Sequence, residues 1–391
     1  MIAPTTTVGA VLLDIVAGKS IQTLERPAAQ HEFGILKVSA VTWGEFRAFE
    51  NKAMPAEYDP GDCPRPMDGD ILISRANTRE LVGAPVMVQG DYPNLLLSDK
   101  LLKLVPDESM VDRRYLLRAL RSPAACTHFF KRAGGSSGSM TNITQADIRS
   151  APLPLPALPE QRRIAAILDK ADTIRFKRRE AMVELDRLVQ SVFVELFGDP
   201  ATNPKGWPVR PLKGLGKVST GGTPPSAVEG MFGGEIPFIT PGDLESNQPV
   251  RRRVTEAGAQ EAGTVRAGAT LVCCIGATIG KTGQATVRSS FNQQLNAVEW
   301  FVDEVDDQYG LATLRFFKPT IVAWGASTTL PILKKSSFEK LSIPVPPLHL
   351  QQEFARRACA MAQLGEKLRA GLDADLSLFA TLQSRAFAGE L

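Results

Sequence analysis

The sequence predicts an α/β (α+β) fold in which two similar domains follow one another, separated by two long helices that form an antiparallel coiled coil with pseudo-two-fold symmetry. Three observations support this prediction. The chain repeats one set of motifs in the same order, each set begins with short β-rich runs, and each set ends in a long segment with helical apolar spacing. At 391 residues, the chain is also long enough for two or three domains.

The repeat is clearest in the pattern V-D-x-x-Y-x-L-x-x-L, which occurs at residues 111–120 and again at 305–314. Three more segment pairs keep the same order: 16–20 with 219–223, 69–73 with 268–272, and 153–158 with 343–348. The spacing between paired segments drifts in one direction along the chain, as small loop insertions and deletions would cause. We interpret the chain as a tandem duplication.

Each copy follows one plan along the chain. Short β-rich runs broken by Gly and Pro come first, and the predicted strands are ILKVSAV (35–41), DILIS (70–74), IPFIT (236–240) and TLVCCIG (270–276). A short helix with the shared pattern follows, then a proline-rich strap and a long helix. The first long helix is predicted from Leu158 to Phe197, because no glycine interrupts this segment and its only proline is Pro159 in the first turn.

Apolar residues seven apart in two rows predict that the long helices pair, with Arg178 as one polar position in the seam. The predicted pairing residues are Ile164, Ile167, Ala171, Ile174, Leu185 and Leu188 in the first helix and Phe354, Met361, Leu364 and Leu368 in the second. The second pattern is less regular and contains Gly365 and Gly371. The alternative is that each helix packs only on its own domain. The basic run 175–179 indicates either a solvated helix face or a phosphate contact.

Composition excludes several classes of protein. No apolar run approaches the length of a transmembrane helix, and the amino-terminal segment lacks the basic region of a signal peptide, so we expect a cytoplasmic protein. Five cysteines and three histidines are scattered without ligand spacing, which argues against a metal site and against a disulfide framework. The net charge of +3 gives only weak support for nucleic-acid binding, so any such charge must be local or supplied by partners.

Four segments resemble type I restriction–modification specificity subunits: PLPALPEQRRIAAILDKAD, ILKVSAVTWGEFR, GGTPPS and IPFITPGDL. The resemblance covers nearly the whole chain. It implies two target recognition domains that each read one half of an asymmetric, interrupted sequence in double-stranded DNA. It also implies helices that act as a spacer and dock two methyltransferase subunits, which methylate adenine with S-adenosylmethionine, and restriction subunits that use ATP and magnesium. The chain itself is expected to have no catalytic residue, no cofactor and no metal.

With this resemblance, we expect recognition domain 1 at 1–156, a central spacer helix at 157–198, recognition domain 2 at 199–345 and a carboxyl-terminal spacer helix at 346–391. Candidate DNA contacts are polar residues in loops that the two copies place at equivalent points. They are Lys19, Ser20, Lys37, Arg75, Asn77, Thr78 and Lys100 in the first copy and Thr220, Thr223, Thr240, Thr278, Lys281, Asn292 and Gln293 in the second. The alternative for each is a turn residue that bonds its own backbone.

Two other function classes stay open at this point. A coiled-coil adaptor that binds only proteins would use the same helices but would show no sequence-specific DNA binding. A nucleotide hydrolase would need a phosphate-binding loop, and GATIGKT at 276–282 has one residue too few between its glycines. The first copy has no Lys-Thr at the corresponding place, which favours a glycine-rich turn between strands.

Overall fold

The computed structural model describes residues 4–137, 140–246, 248–326 and 331–391. The chain forms two compact units. Unit 1 is the chain up to Arg178 together with Gly371–Leu391, and unit 2 is Arg179–Ala370. Both divisions fall inside long helices, so each unit contains part of both helices.

The elements of unit 1 are short strands and short helices, followed by the first long helix. They are β1 (Thr5–Thr7), β2 (Leu12–Ala17), β3 (Gly34–Leu36), α1 (Ser39–Thr42), β4 (Asn51–Ala53), β5 (Ile71–Ser74), β6 (Ala76–Asn77), β7 (Pro85–Met87), β8 (Leu95–Leu96), β9 (Leu101–Pro106), α2 (Arg113–Leu120), α3 (Pro123–Arg132), β10 (Gly134–Ser137), β11 (Met140–Asn142), α4 (Gln145–Arg149), β12 (Pro152–Pro154) and the first part of α5 (Leu158–Phe197).

Unit 2 follows α5 and ends within the second long helix. Its elements are β13 (Val209–Pro211), β14 (Gly216–Thr220), β15 (Phe232–Ile239), β16 (Arg253–Val254), α6 (Glu256–Ala262), β17 (Thr264–Val265), β18 (Thr270–Cys273), β19 (Thr282–Gln284), β20 (Ser289–Phe291), β21 (Leu295–Trp300), α7 (Asp307–Phe316), α8 (Lys318–Gly325), α9 (Lys335–Phe338), β22 (Ser342–Pro344) and α10 (Leu348–Ala388).

The sheets repeat from one unit to the other. Unit 1 has an antiparallel sheet in the order β2-β9-β5-β7, and unit 2 has the corresponding order β14-β21-β18-β19. A second sheet contains a parallel pair in each unit, β3 with β8 and β15 with β20. A third, two-stranded sheet joins β1 to β12 and β13 to β22. The predicted tandem of two similar α/β domains is therefore confirmed by element order and strand pairing.

The structure explains why the pattern V-D-x-x-Y-x-L-x-x-L occurs in both units. The Asp112 carboxylate caps α2 by accepting the N–H groups of Arg114 and Tyr115, and Asp306 caps α7 in the same way. The valine, the tyrosine and the last leucine of each pattern are fully buried, so these three residues belong to the core of their unit. Polar capping at one end and burial along one face fix the short helix against its sheet.

A buried glutamine joins each long helix to the strap that precedes it. The Gln161 amide donates to the carbonyls of Pro156 (2.8 Å) and Met110 (3.0 Å), and its oxygen accepts the N–H of Asp112 at 2.9 Å. Gln351 makes the same three bonds in unit 2, with distances of 2.8, 3.1 and 2.9 Å. Both side chains are therefore satisfied although buried, which is the condition for burying an amide without a large free-energy penalty.

One strand prediction is wrong in part. The run at 35–41 forms a strand only as far as Leu36, after which the chain turns into α1. The N–H of Lys37 still bonds to the carbonyl of Glu50 at 3.0 Å, but the N–H of Ala40 turns back to the carbonyl of Lys37 at 3.0 Å. Ala40 and Val41, which lie in α1, are both buried. The apolar spacing of the run fits both conformations, so the sequence did not distinguish them.

Helix α5 has the bounds that the sequence predicts, and segments of α10 lie antiparallel to it within each unit. In unit 1, Arg178 pairs with Asp375 and Arg175 lies over the ring of Phe379. In unit 2, Gly365 faces Leu185, whereas the ring of Phe193 packs edge-on against that of Phe354. Higher residue numbers in α5 thus contact lower residue numbers in α10, as expected for antiparallel helices.

The shielded face of α5 differs from the predicted one in its second row. Ile164 is buried, and Ala171 and Leu185 of the same row are partly buried. Of the second predicted row, Ile167 is partly buried, but Ile174 and Leu188 are 44% and 48% exposed. The shielded row runs one position further along and is formed by Leu168, Arg175, Met182, Val189 and Leu196.

The facing surface of α10 shows a similar difference. Phe354 is buried, Met361 and Leu368 are partly buried, and Leu364 is 49% exposed. Gly365 takes the inward position beside Leu364. Arg175 and Arg178 of the basic run also lie against α10 and are partly buried, so the prediction of a solvated face does not hold for these two residues.

Among the described residues, no helix has both the length and the apolar character that crossing a membrane requires. The same residues contain no group of three or more His, Cys, Asp or Glu side chains placed to hold a metal ion.

Candidate nucleic-acid interface

Most candidate residues of unit 1 lie where the strands of the sheet β2-β9-β5-β7 begin or end on one side. This row of strand ends is called the sheet edge below. Because β9 is antiparallel to both β2 and β5, the carboxyl ends of β2 and β5 lie beside the amino end of β9. Lys19 and Ser20 follow β2, Arg75 follows β5 and Lys100 precedes β9. The N–H of Arg75 donates to the carbonyl of Lys100 at 2.9 Å. The structure therefore brings these four predicted residues together.

A glycine at this edge is required in both units. The N–H of Gly18 donates to the carbonyl of Leu101, and the N–H of Gly221 donates to that of Leu295, both at 3.2 Å. A Cβ atom on Gly18 would overlap the carbonyl oxygens of residues 97–98, and one on Gly221 would overlap those of residues 291–292. The shared turn therefore packs backbone on backbone, which explains why the two copies resemble each other at this point.

Two candidate lysines of unit 1 are held by acidic neighbours. Lys19 pairs with Asp62, and Nζ of Lys37 lies 2.6 Å from a carboxylate oxygen of Glu50. The hydrogen bond from Lys19 holds the pKa of Asp62 below its ordinary value, and hydrogen bonds from Lys37 and then Ser39 lower the pKa of Glu50. The Lys19–Asp62 pair is exposed and therefore weak, whereas the Lys37–Glu50 pair is partly buried.

The side-chain amide of Asn77 forms hydrogen bonds within the chain. Its Nδ2 donates to the Thr42 hydroxyl at 3.1 Å, and its Oδ1 accepts the N–H of the exposed Thr78 at 2.8 Å. Sequence reasoning did not select Trp43, which follows Thr42 and is 57% exposed. The segment VTWGEFR already carried part of the family resemblance.

Unit 2 gathers its candidates at the corresponding edge of the sheet β14-β21-β18-β19. Thr220 ends β14 and donates its hydroxyl to Oδ1 of Asn296 at 2.7 Å. Thr223 is exposed and bonds through its hydroxyl to the exposed Gln293. Asn292 precedes β21, and its N–H donates to the carbonyl of Ile239 at 3.0 Å. These four predicted residues lie close together.

Thr240 reaches the same edge from the second sheet of unit 2. It follows β15, the strand whose last carbonyl holds Asn292. Its hydroxyl and its N–H both bond to one oxygen of Asp243, at 2.6 and 2.8 Å. This is the local turn geometry that competes with base reading for Thr and Ser side chains. Lys37 occupies the equivalent position after β3 in unit 1.

Thr278 and Lys281 lie in the turn between the antiparallel strands β18 and β19. The N–H of Gly280 donates to the carbonyl of Cys273, and the N–H of Cys273 donates to the carbonyl of Lys281, both at 2.8 Å. Gly83 occupies the place of Gly280 in unit 1, and both have a positive φ of 81° and 85°. A phosphate-binding loop instead joins a strand to the amino end of a helix. This topology favours the strand-turn interpretation of residues 276–282.

Comparison with known proteins follows the same division of the chain. The model of the family described as "Type I restriction modification DNA specificity domain" matches residues 61–184 and 204–363, which is more than half of the chain and includes most of both copies. The chain belongs to this family. It is a type I restriction–modification specificity subunit with DNA-recognition domains.

Two curated relatives of this specificity subunit each match about three quarters of the chain. A Methanocaldococcus jannaschii protein, assigned as the MjaX specificity subunit of a type I restriction enzyme, is 25% identical over 327 residues, covering 76% of this chain and 72% of the relative. The specificity subunit of the Haemophilus influenzae type I restriction enzyme HindI is 21% identical over 385 residues, covering 77% and 82% of the two chains.

Solved structures agree with the fold. The specificity subunit of a Mycoplasma genitalium (M. genitalium) type I system matches with a TM-score of 0.64 and 14% identity, covering 98% of this chain and 96% of that one. A chain from a structure that addresses complex assembly and conformational transition of the type I system matches with a TM-score of 0.55 and 20% identity, covering 100% and 98%. At these identities, the similarity shows that the fold is shared.

The specificity subunit contains positioning residues that sequence reasoning passed over, and Gln161 and Gln351 are the clearest. Gln161 lies in the segment PLPALPEQRRIAAILDKAD, and Gln351 stands at the same distance after the strap of the second copy. Their presence at equivalent positions was the available signal. Their roles were not visible, because the carbonyls of Met110 and Glu304 that they bind lie about fifty residues away in the sequence.

Proposed function

We propose that this specificity subunit reads a bipartite, asymmetric DNA sequence and holds two adenine methyltransferase subunits, together with restriction subunits, on that sequence. The observation that supports the proposal is the duplication of one fold, with polar loops at the same sheet edge of both copies. Under this proposal the recognition domains are residues 1–156 and 199–345. Residues 157–198 and 346–391 form the spacer and dock the partners.

The two edges differ in chemistry, which supports an asymmetric target. The edge in unit 1 offers mainly cationic candidates, namely Lys19, Lys37, Arg75 and Lys100. The edge in unit 2 offers mainly neutral donors and acceptors, namely Thr220, Thr223, Thr240, Asn292 and Gln293, with Thr278 and Lys281 in the neighbouring turn. Arginine and lysine favour guanine edges and phosphates, whereas asparagine and glutamine favour adenine. We therefore expect the two half-sites to differ.

In this proposal the chain performs no chemistry of its own and needs no cofactor or metal. Methyl transfer from S-adenosylmethionine belongs to the methyltransferase subunits, and the use of ATP and magnesium belongs to the restriction subunits. The specificity subunit contributes by choosing where on the DNA the methyltransferases stand, and it acts in the cytoplasm, where the chromosome is accessible. Any catalytic activity that the isolated chain retained after purification would contradict this division.

The test is an exchange of recognition domains followed by mapping of methylated adenines in host DNA. Replacing residues 201–342 with the corresponding segment of another specificity subunit should change one half-site and leave the other half-site and the gap unchanged. The binding constant of each variant for DNA should also fall steeply with salt concentration, because neutralised phosphates release counterions. An adaptor that binds only proteins would instead show no methylation motif and no salt-dependent DNA binding.

A further inference from the structure

Unit 1 contains a cavity of about 250 Å³ at the amino end of α2, far from the candidate DNA contacts. Three arginines line it, Arg113 and Arg114 from α2 and Arg162 from the first turns of α5, together with two acidic residues, Glu108 and Asp112. The cavity therefore combines a concave shape with a concentration of guanidinium groups.

Two of these arginines keep hydrogen-bonding capacity for a ligand. Arg113 is committed to Glu108, whose oxygen lies 2.8 Å from its Nε. Arg114 lies 3.6 Å from the nearest Asp169 oxygen, and Arg162 lies 4.0 Å from an oxygen of Asp112. Such separations are too long for strong charge-assisted bonds. The side chains of Arg114 and Arg162 are 66% and 67% exposed, so both guanidinium groups can reach a ligand.

The lining of the cavity keeps a net positive charge, because its three arginines outnumber the two carboxylates of Glu108 and Asp112. One oxygen of Asp112 accepts the N–H groups of Arg114 (3.0 Å) and Tyr115 (3.1 Å) as the cap of α2. An incoming carboxylate would meet two guanidinium groups whose flat, forked geometry matches it.

The second copy has different residues at the same places. Asp307, Gln308 and Gln352 occupy the positions of Arg113, Arg114 and Arg162 relative to the shared pattern and the shared glutamine. Asp307 is held by Arg266 through two bonds of 2.7 and 2.8 Å, and Nε2 of Gln308 donates to Oε1 of Gln284 at 2.8 Å. Two of these three residues of unit 2 are thus held by bonds within the chain, and no arginine stands at any of the three positions.

Strand direction separates the cavity from the candidate DNA contacts of unit 1. Strand β9 begins next to Lys100, at the edge that carries the candidates, and ends at Pro106, just before the cavity residues. Its six residues span about 20 Å at the usual rise of a strand. A ligand in the cavity is therefore expected to be something other than the DNA read at the opposite edge. The carboxylates of a protein partner match the charge.

We propose that the arginine cavity of unit 1 binds an acidic segment of a methyltransferase subunit. Because unit 2 has no arginine at the three equivalent positions, the two methyltransferase subunits bind with unequal affinity. This inference rests on the proposed function, since it assumes two methyltransferase subunits per chain. It goes further by naming the residues, the partner chemistry and the difference between the two sides.

The experiment titrates purified methyltransferase subunit into the full-length specificity subunit and measures both stepwise dissociation constants. The test variant is R114Q/R162Q, which installs the glutamines that the second copy carries at these positions. The control is K131Q/R132Q, which removes the same charge from exposed residues of α3, where Arg132 has a similarly long pair of 3.6 Å with Asp147. DNA affinity of the free chain is measured for all three proteins as a function of salt.

We expect two unequal constants for the natural chain. R114Q/R162Q should weaken the tighter one by about tenfold or more, because charge-assisted hydrogen bonds are lost, and leave the weaker one and DNA binding unchanged. K131Q/R132Q should change neither constant. Two unchanged constants in R114Q/R162Q would overturn the inference but leave the proposed function standing. A reduced salt dependence of DNA binding would assign these arginines to phosphate and overturn it as well. Failure of the natural chain to bind any methyltransferase would count against the proposed function itself.

Discussion

At the scale of single residues, the two buried tyrosines show how each copy fixes its strap. The hydroxyl of Tyr115 donates to the carbonyl of Pro154 at 2.6 Å, and the hydroxyl of Tyr309 donates to that of Pro344 at 2.8 Å. Burial raises the pKa of both phenols well above the ordinary value, so each hydroxyl stays protonated and remains a donor. The strap lies directly before the long helix, so this bond helps to set where that helix begins.

We predict that Tyr115→Phe and Tyr309→Phe each lower the free energy of unfolding by about 1–2 kcal/mol, because each leaves a buried carbonyl without its donor. Denaturation in urea measures the change in the free energy of unfolding. Phenylalanine keeps the aromatic ring in place, so the substitution removes only the hydroxyl that donates to the proline carbonyl. Tyr58→Phe is the control, since Tyr58 is exposed, and it should change the free energy by less than about 0.5 kcal/mol. Equal effects at all three tyrosines would contradict the assigned role.

The sequence predicted these residues as a pattern but not their contacts. The positions of Asp112 and Tyr115 relative to the apolar residues announced a short helix with a buried face. The partner of the tyrosine is a main-chain carbonyl, which any residue can supply, so nothing in the sequence at 152–154 marks it. The same reason applies to Gln161. For the candidate DNA residues, the repeat predicted loops at equivalent points of the two copies, whereas the internal bonds of Asn77 and Thr240 depend on turns that only the fold defines.

At the scale of elements, the paired helices hold two arginines between them, of which apolar spacing predicted Arg178 but not Arg175. Counting only apolar residues in α5 led to the row with Ile174 and Leu188, which is exposed. The shielded row instead passes through Arg175, whose guanidinium lies 4.3 Å from the ring centre of Phe379. Long side chains such as arginine can cover apolar surface with their stems, so a charged residue does not by itself mark a solvated face. The ends of α5 were predictable because they depend on local breakers.

The two glycines of α10 are predicted to respond differently to alanine. Gly365→Ala should raise the free energy of unfolding by up to about 1 kcal/mol, because alanine is the better helix former. Its Cβ would lie 3.4 Å from Cδ2 of Leu185, an ordinary contact. A Cβ on Gly371 would overlap the Arg178 guanidinium and push it from Asp375, which lies 2.8 Å from its Nε.

We therefore expect Gly371→Ala to be less stable than Gly365→Ala by about 1–3 kcal/mol, the usual cost of separating a partly buried charged pair. Denaturation of both variants beside the natural chain measures the difference. The control compares the double variant Arg178→Met with Gly371→Ala against Arg178→Met alone, because without the guanidinium there is no overlap and the added alanine should cause no further loss. If the two alanine variants are equally stable, Gly371 has no special place in the seam.

At the scale of the whole molecule, duplication supplies two domains of one fold that have diverged in the residues they present. The buried positions of the shared pattern and the strap glutamines are the same in both copies. Differences accumulate at the sheet edges and at the amino ends of α2 and α7, where packing imposes little. Fold class, duplication and family were accordingly within reach of the sequence. The charge difference between the two cavity regions was not, because it depends on side chains from separate segments that meet only after folding.

If the helices act as a spacer, lengthening both should lengthen the gap between half-sites without changing either half-site. The structure gives matched places for the insertion, because Arg178 faces Gly371 and Leu185 faces Gly365. Seven residues added between 178 and 185, and seven between 365 and 371, keep the heptad register of both helices. They add roughly 10 Å of helix, which corresponds to at most about three base pairs of B-DNA. Sequencing of methylated adenines should then show both half-sites intact and the gap longer by one to about three base pairs.

An insertion in α5 alone is the control and should weaken methylation, because it breaks the pairing register. An unchanged gap with full methylation would show that the helices do not set the spacing.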